Sequence, residues 1–218
     1  MNNLRFEDVI ERLDAAMGGP LPGSAAQAVL APTPRRDWPS GFSPARIRNA
    51  AGLLLLFPVG SRAHIVLTVR AGTLEHHGGQ VSLPGGVIES GETPERAALR
   101  EAHEEIALSL DGVRVRGALT SLDIPVSGFR LHPILASTDV RPHLTPSGGE
   151  VARILEVDVS EFFDPQRLVT VDRVRDGRTL SIPLFRVAGE EIWGATAMVL
   201  AEFLAILGWR PAFNVDRT

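Results

Sequence analysis

The stretch Pro84–Leu108, PGGVIESGETPERAALREAHEEIAL, decides the reading of this 218-residue chain. Two glycines and a short acidic loop lead into a segment that opens as a helix should. Thr93 is an N-cap residue type, Pro94 takes the first helical position where its missing N–H costs nothing, and Glu95 suits the positive end of the dipole. From Glu95 to Ala107 every residue is an acceptable helix former. At about 100° per residue, Ala98, Leu99, Ala102 and Ile106 share an apolar stripe that must face the rest of the protein. Glu101, Glu104 and Glu105, spaced i, i+3 and i+4, fall on a neighbouring stripe and bring three carboxylates within one turn.

Three like charges that close weaken an isolated helix, so something must compensate them. One reading is a solvated acidic face with Arg96 and Arg100 as ion-pair partners. The other is a hard divalent cation, and oxygen-only ligands select Mg²⁺ or Mn²⁺. Glu92 offers either a fourth carboxylate or a brace for Arg100. The acidic string alone favours the first reading, and it is a family resemblance that turns the choice to the second. Gly86, Glu92, Arg100, Glu101, Glu104, Glu105 and Leu108 stand in register with the Nudix box, G-x5-E-x7-R-E-U-x-E-E-x-G-U with U apolar, and the stretch resembles that family. Two positions depart from the pattern. Ala102 is small for an apolar anchor, and Ala107 stands where the family has glycine, so the helix is expected to end one residue differently.

The resemblance extends upstream. LTVRAGTLEHHGGQVSLPGG (67–86) is similar to the segment LTxRs…LxxHxGQVxFPGG that precedes the box in coenzyme A diphosphatases, with Leu67, Thr68, Arg70, Leu74, His77, Gly79, Gln80, Val81, Pro84, Gly85 and Gly86 matching. SGFRLHPILA (127–136), EVARILEVDVSEFFDP (150–165) and IWGATAMVLAEFLAIL (192–207) also look like that subfamily. Leu83, Ala71 and Glu75 depart from it, and an acid at 75 disfavours a 3′-phosphate in the pocket.

The resemblance implies an α/β/α sandwich with a mixed β-sheet between helices, and a Mg²⁺- or Mn²⁺-dependent hydrolase. Its substrate would be coenzyme A or acyl-CoA, cleaved at the diphosphate to 3′,5′-ADP and 4′-phosphopantetheine. Hydrolysing such a bond requires charge neutralisation on non-bridging oxygens, a positioned water and a carboxylate to take its proton. Glu101, Glu104 and Glu105, with a backbone carbonyl near Gly85, would hold the metal, and Gly86, Glu92 and Arg100 would shape the box. The base would be Glu104 or Glu105, then Glu150, which follows Ser147-Gly148-Gly149 and reads alternatively as a surface residue at a strand entry. Arg70 can clamp a phosphate bidentately or pair with an acid at its strand end; Arg48 and Gln80 are further substrate-binding candidates. Two alternatives stay open: a diphosphatase acting on ADP-ribose or another nucleoside diphosphate derivative, and a non-catalytic nucleotide-sensing module.

The absences narrow the chemistry. The chain contains no cysteine, lysine or tyrosine, which excludes thiolate, Schiff-base and phenol catalysis and leaves arginine as the only permanent cation. A net charge of −4 speaks against sequence-independent nucleic-acid binding. With no run of 18 apolar residues and no signal-type leader, a cytoplasmic location and no membrane partner are expected.

In order, residues 4–17 have helical apolar spacing, and 18–43 read as a Gly/Pro-rich connection without periodicity. That divides the chain into an N-terminal helix and extension (1–47), a catalytic domain (48–210) and a tail (211–218), with a homodimer possible through the helix. Strands are expected at 50–57 and 63–70, a short one in QVSLPGG (80–86), and others at 113–119, 130–137 and 151–157, then a short helix near 160–163 and a hairpin over 168–174 and 179–185. A last helix over 193–207 is apolar on most sides and therefore buried. Trp193 reads as core, with adenine stacking as its other use, and His103 as solvated. The adjacent His76 and His77 read as loop residues rather than metal ligands, and Gly18-Gly19…Gly23 lacks the strand and lysine of a phosphate loop.

Overall fold

The computed structural model describes residues 4–71, 79–175 and 177–211. Its centre is β1 (Arg48–Val59), whose run of leucines is buried on both faces. That burial explains why the strand reads as a continuous apolar run and does not alternate. β1 lies parallel to β7 (Phe129–Ser137) from Arg48↔Phe129 to Leu56↔Ser137. It is antiparallel to β2 (Arg62–Arg70) at one end and to β4 (Gly85–Val87) at the other. β3 (Val81–Ser82) and β8 (Val151–Asp158) extend the sheet beyond β2, while β5 (Arg114–Ala118) and β6 (Leu122–Ile124) pair with β7. The eight strands therefore form one mixed sheet.

Alternate residues of β1 serve two different cores. Leu53, Leu55 and Phe57 point to the side of α3 (Pro94–Ile106), together with Val66, Ile134 and Ala136. Leu54 and Leu56 point the other way, where they meet α1 (Phe6–Met17) and α4 (Gly194–Ile206). A second, three-stranded sheet of β9 (Leu168–Arg175), β10 (Arg178–Val187) and β11 (Glu190–Ile192) sends Phe185, Val187 and Ile192 into that same second core. Helices cover both faces of the main sheet, which is the α/β/α sandwich expected.

Several elements were not foreseen. The connection 18–43 contains α2 (Gly23–Ala28), and its Leu30 and Ala31 are buried in the main core alongside Leu4, Phe6, Val9 and Leu13 of the N-terminal helix. β6 and β11 are three-residue strands, too short to show a periodicity. Among the described residues no helix is long and apolar enough to cross a membrane.

α4 carries the largest surprise. Its sequence is apolar all round, yet Glu202 lies fully buried within it. The carboxylate accepts from Gly23 N at 3.1 Å, Gln27 Nε2 at 2.8 Å and Thr120 Oγ1 at 2.7 Å, with Thr120 N also in reach at 3.2 Å. Glu202 thereby ties α4 to α2 and to the turn between β5 and β6. The Gly18–Gly23 segment thus points a backbone N–H at this carboxylate.

Candidate active site

The helix α3 begins as its sequence dictates: Thr93 Oγ1 accepts from Arg96 N at 3.3 Å, with Pro94 at the first helical position. Ala97, Ala98, Ala102 and Ile106 are fully buried against the sheet, and Leu99 is half-buried. The small residue at 102 suits this packing, because three alanines let the helix lie close over β1 and β7. The exit differs from the expectation. Ala107 does not shift the helix end; it adopts the left-handed conformation itself, at φ 53° and ψ 33°. A side chain there costs about 1 kcal/mol relative to glycine.

Both box glycines stand where a Cβ would meet a neighbour, backbone at Gly85 and the end of the Glu101 side chain at Gly86. A Cβ on Gly85 would stand 2.2 Å from the Ala51 carbonyl oxygen across the β1–β4 pairing. On Gly86 it would stand 2.3 Å from Glu101 Oε1, so a side chain there would displace the carboxylate from its present place.

Among the described residues no three acidic or imidazole groups are arranged as a ready-made metal cage. Within that turn the three carboxylates are engaged in two ways, Glu101 and Glu104 at Arg100 and Glu105 at Gly85. Arg100 donates to Glu101 at 2.9 Å and to Glu104 at 3.3 Å while gripping both oxygens of Glu92 at 3.0 Å. Glu92 therefore braces Arg100, and that guanidinium holds the Glu92 carboxyl below its usual range. Glu105 turns away from Arg100 and accepts Gly85 N–H at 3.1 Å. It is only 7% exposed, and burial pushes its pKa up to about 7; the Glu101 and Glu150 charges add to this, and the Gly85 N–H and Arg70 oppose it.

These residues fit a hard dication. The donors are all oxygen, the glycine cradle brings Glu101 against β4, and the buried Glu105 is disfavoured in its charged form by the other carboxylates. A positive charge placed among them reverses that last interaction.

Glu150 reaches the site because its loop is tied to the end of α3. Thr145 N donates to Ile106 O at 3.0 Å, and Ser147 N to Glu105 O at 2.8 Å. Glu150 is exposed and pairs with Arg70 at 3.2 Å. Arg70 is paired to an acid, the second of its two readings, and it lines the same cavity as Glu101 and Glu105. Gln80, Gly85, Gly86 and Glu150 also line that cavity, whereas Glu104 does not. Arg48 does not itself line the cavity; its guanidinium lies 4.0 Å over the ring of Phe129, which does. Leu74, Glu75, His76 and His77 lie outside the described residues. His103 is exposed as expected, its Nδ1 2.9 Å from Leu108 O.

The cavity, about 900 Å³, runs from these carboxylates to an apolar wall of Leu122, Ile124, Phe129, Leu131 and Met198. Trp193, read as core, is half-buried and forms part of this wall, with the Arg173 guanidinium 5.4 Å over its ring. Pro34, Arg35 and Arg36 of the N-terminal connection also line it. Phe129, Leu131, Trp193 and Met198 lie in the segments 127–136 and 192–207 that resemble the subfamily, whereas Leu122, Ile124, Pro34, Arg35 and Arg36 fall in no motif and no sequence pattern points to them.

The NUDIX domain family matches residues 46–181, which contain the box, its upstream glycines and the Glu150 loop. The chain belongs to the Nudix family. It is 35% identical over 166 residues to an uncharacterized Nudix hydrolase, NudL, of Citrobacter koseri, covering 75% of this chain and 86% of the relative. A NudL of Pectobacterium atrosepticum is 29% identical over 174 residues, covering 79% and 90%. Among solved structures, the Nudix hydrolase RenU of M. smegmatis superposes with a TM-score of 0.54 at 25% identity, covering 77% of this chain and 89% of that one. The protein is accordingly a Nudix-type hydrolase acting on diphosphate bonds, a class that generally uses a divalent metal such as Mg²⁺ or Mn²⁺.

Proposed function

We propose that this Nudix hydrolase cleaves the diphosphate of coenzyme A or acyl-CoA, releasing 3′,5′-ADP and the (acyl-)4′-phosphopantetheine. The observation that carries the reading is the single cavity that joins the box carboxylates to an apolar wall. A substrate with a diphosphate at its middle, a nucleotide at one end and a long, largely uncharged arm at the other matches that division. The similarity of residues 67–86 to the coenzyme A diphosphatases supports the same choice.

Glu101, Glu104 and Glu105, with the Gly85 carbonyl, are the residues that would hold Mg²⁺ or Mn²⁺. When bound, the ion neutralises the non-bridging oxygens of the diphosphate and orients the attacking water. Arg70, already on the wall, clamps a phosphate oxygen, and Gln80 offers a neutral hydrogen bond beside it. For the base, the geometry favours Glu105 and Glu150, which face the cavity, over Glu104, which is drawn to Arg100. Glu92 and Arg100 position the helix against β4, and Arg100 donates to Val87 O at 3.1 Å to complete that link.

The test is incubation with coenzyme A and acetyl-CoA in the presence of Mg²⁺ or Mn²⁺, with ADP-ribose and dinucleotide cofactors in parallel. Chromatography should show 3′,5′-ADP at a kcat/KM well above that of every other diphosphate. Its absence, with ADP-ribose turned over instead, removes coenzyme A as the substrate.

A further inference from the structure

Two rows of apolar side chains run along the cavity wall and out into water. Along β6 and the turn that follows it stand Leu122, Ile124 and Val126, at i, i+2 and i+4. Leu122 is 2% exposed, Ile124 half-buried and Val126 54% exposed. On the hairpin of β9 and β10, Ile182 is 2% exposed and Leu180 half-buried. Val174, one pair nearer the hairpin turn than Leu180, is 76% exposed. All six line the cavity that holds the box carboxylates. Where a strand row meets solvent a polar residue is the ordinary ending. Both of these rows end in valine.

A single apolar side chain on a surface needs no explanation; the placement of these does. Among the described residues six large apolar side chains are exposed, and three of them, Val87, Val126 and Val174, stand on the wall of this cavity. Val87 borders the box on β4, whereas Val126 and Val174 come from the two sheets that bound the apolar end. Their surface is continuous with the catalytic cavity, so its occupant enters with the substrate. The pantetheine arm does not account for the rows, because its amides and hydroxyl need hydrogen-bond partners that aliphatic side chains do not offer. A hydrocarbon chain needs none. The arginines that share the wall are engaged already: Arg35 donates to Asp123 O, Arg173 pairs with Glu191, and Arg36 has an interaction of its own. Their alkyl stems add apolar surface beside the rows.

We propose that the two rows form an acyl-chain subsite, with Val126 and Val174 at its outer end, so that thioesters bearing a hydrocarbon chain are taken in preference to free coenzyme A. The subsite deepens the coenzyme A reading and rests on it. Each methylene that leaves water for such a wall strengthens binding by up to about fourfold, and by less where the rim leaves it part-exposed.

The test reads the chain both apart from turnover and with it. Titration calorimetry on the full-length protein in chelator is run with coenzyme A and its acetyl, butanoyl, hexanoyl and octanoyl esters, and kcat/KM is measured for the same series in Mg²⁺. From acetyl to octanoyl both affinity and kcat/KM should rise by about 10–100-fold, and the heat-capacity change of binding should grow more negative with chain length. V126T/V174T keeps the shape of the rim and makes it polar, and its octanoyl-to-acetyl ratio should fall by about threefold or more. V115T/V140T makes the same change at two exposed valines away from the cavity and should keep the wild-type ratio. A flat series in wild type, a ratio unmoved in V126T/V174T, or one lowered equally in V115T/V140T overturns the subsite. If wild type cleaves no member of the series, the proposed reaction fails; the subsite then stands only if the calorimetric rise with chain length, and its loss in V126T/V174T, are still seen.

Discussion

Two helices of thirteen residues flank the sheet of this protein, and each buries one glutamate. Glu202 of α4 is wrapped by donors from Gly23, Gln27 and Thr120 and does not line the active-site cavity. Glu105 of α3 accepts from Gly85 N and otherwise faces a cavity that it shares with Glu101, Glu150 and Arg70. The residue type and the burial are alike; the supply of donors is not. A buried carboxylate whose oxygens are satisfied by the fold serves the fold, and one left facing open space beside other acids is available for chemistry. The helix exits repeat the contrast. α4 ends at Leu207 in an ordinary conformation and places Gly208 at φ 87°, whereas α3 places Ala107 at φ 53°.

The comparison breaks most sharply at Glu105. Replacing it with Gln should lower kcat on the preferred diphosphate by about 10²–10⁴-fold, the range for losing a positioned base, while the circular dichroism spectrum stays that of wild type. A Glu202→Gln protein should keep kcat near wild type wherever it is folded. Activity lost in both to the same degree would show that the two acids do not divide the work as described.

Stability should invert that ranking. Glu202→Ala strands several buried donors and should cost about 3–5 kcal/mol in urea unfolding, with Glu202→Gln milder because one oxygen remains. A cost below 1 kcal/mol would mean that α2 and the β5–β6 turn do not depend on this carboxylate.

The third prediction concerns pH. The folded protein holds the Glu105 proton up to about pH 7, against an ordinary value of 4.5, so between these limits the folded state binds more protons than the unfolded chain. Stability from this group is therefore fully present below about pH 4.5 and lost as pH rises through 7, by about 3 kcal/mol at most. In chelator, unfolding free energy of Glu105→Gln should exceed that of wild type at pH 8 and the two should converge toward pH 5. Millimolar Mg²⁺ should restore much of the wild-type stability at pH 8 and do little for the variant. A wild-type curve that climbs from pH 5 to 8 relative to the variant would contradict the assignment.

The smallest effect is at the exit of α3. Ala107→Gly should raise stability by about 0.5–1 kcal/mol, since glycine takes a left-handed conformation without the Cβ clash, partly offset by its freer unfolded chain. The matching change at the α4 exit, Gly208→Ala, should destabilise by a similar amount. Parallel thermal melts of the two variants check both signs.

Much of α3 was legible before any coordinates, because its determinants are local. Thr93, Pro94 and the alanine stripe act within a turn or two, and the strict spacing of Glu92, Arg100, Glu101, Glu104 and Glu105 survives as a pattern along the chain. The hairpin of β9 and β10 was legible for the same reason, with Gly177 at the turn. Glu202 was invisible: its partners Gly23 and Gln27 lie 179 and 175 residues away, so nothing near it in sequence marks it as more than one acid in an apolar helix. The same holds for Trp193, whose place on the cavity wall depends on a sheet formed by other segments, and for Arg48, whose neighbour Phe129 comes from the adjacent parallel strand.

What the sequence determined by itself is the acidic helix, its caps and the glycine pair before it, and through them the family and the chemistry of a diphosphate bond. Which acid is buried, which is held by Arg100, and how residues 32–38 come to line the cavity were decided only in the tertiary structure. The physical reason is range. Caps and helical spacing act over a few residues, whereas the dielectric surroundings of a carboxylate and the walls of a cavity are assembled from strands that meet across most of the chain.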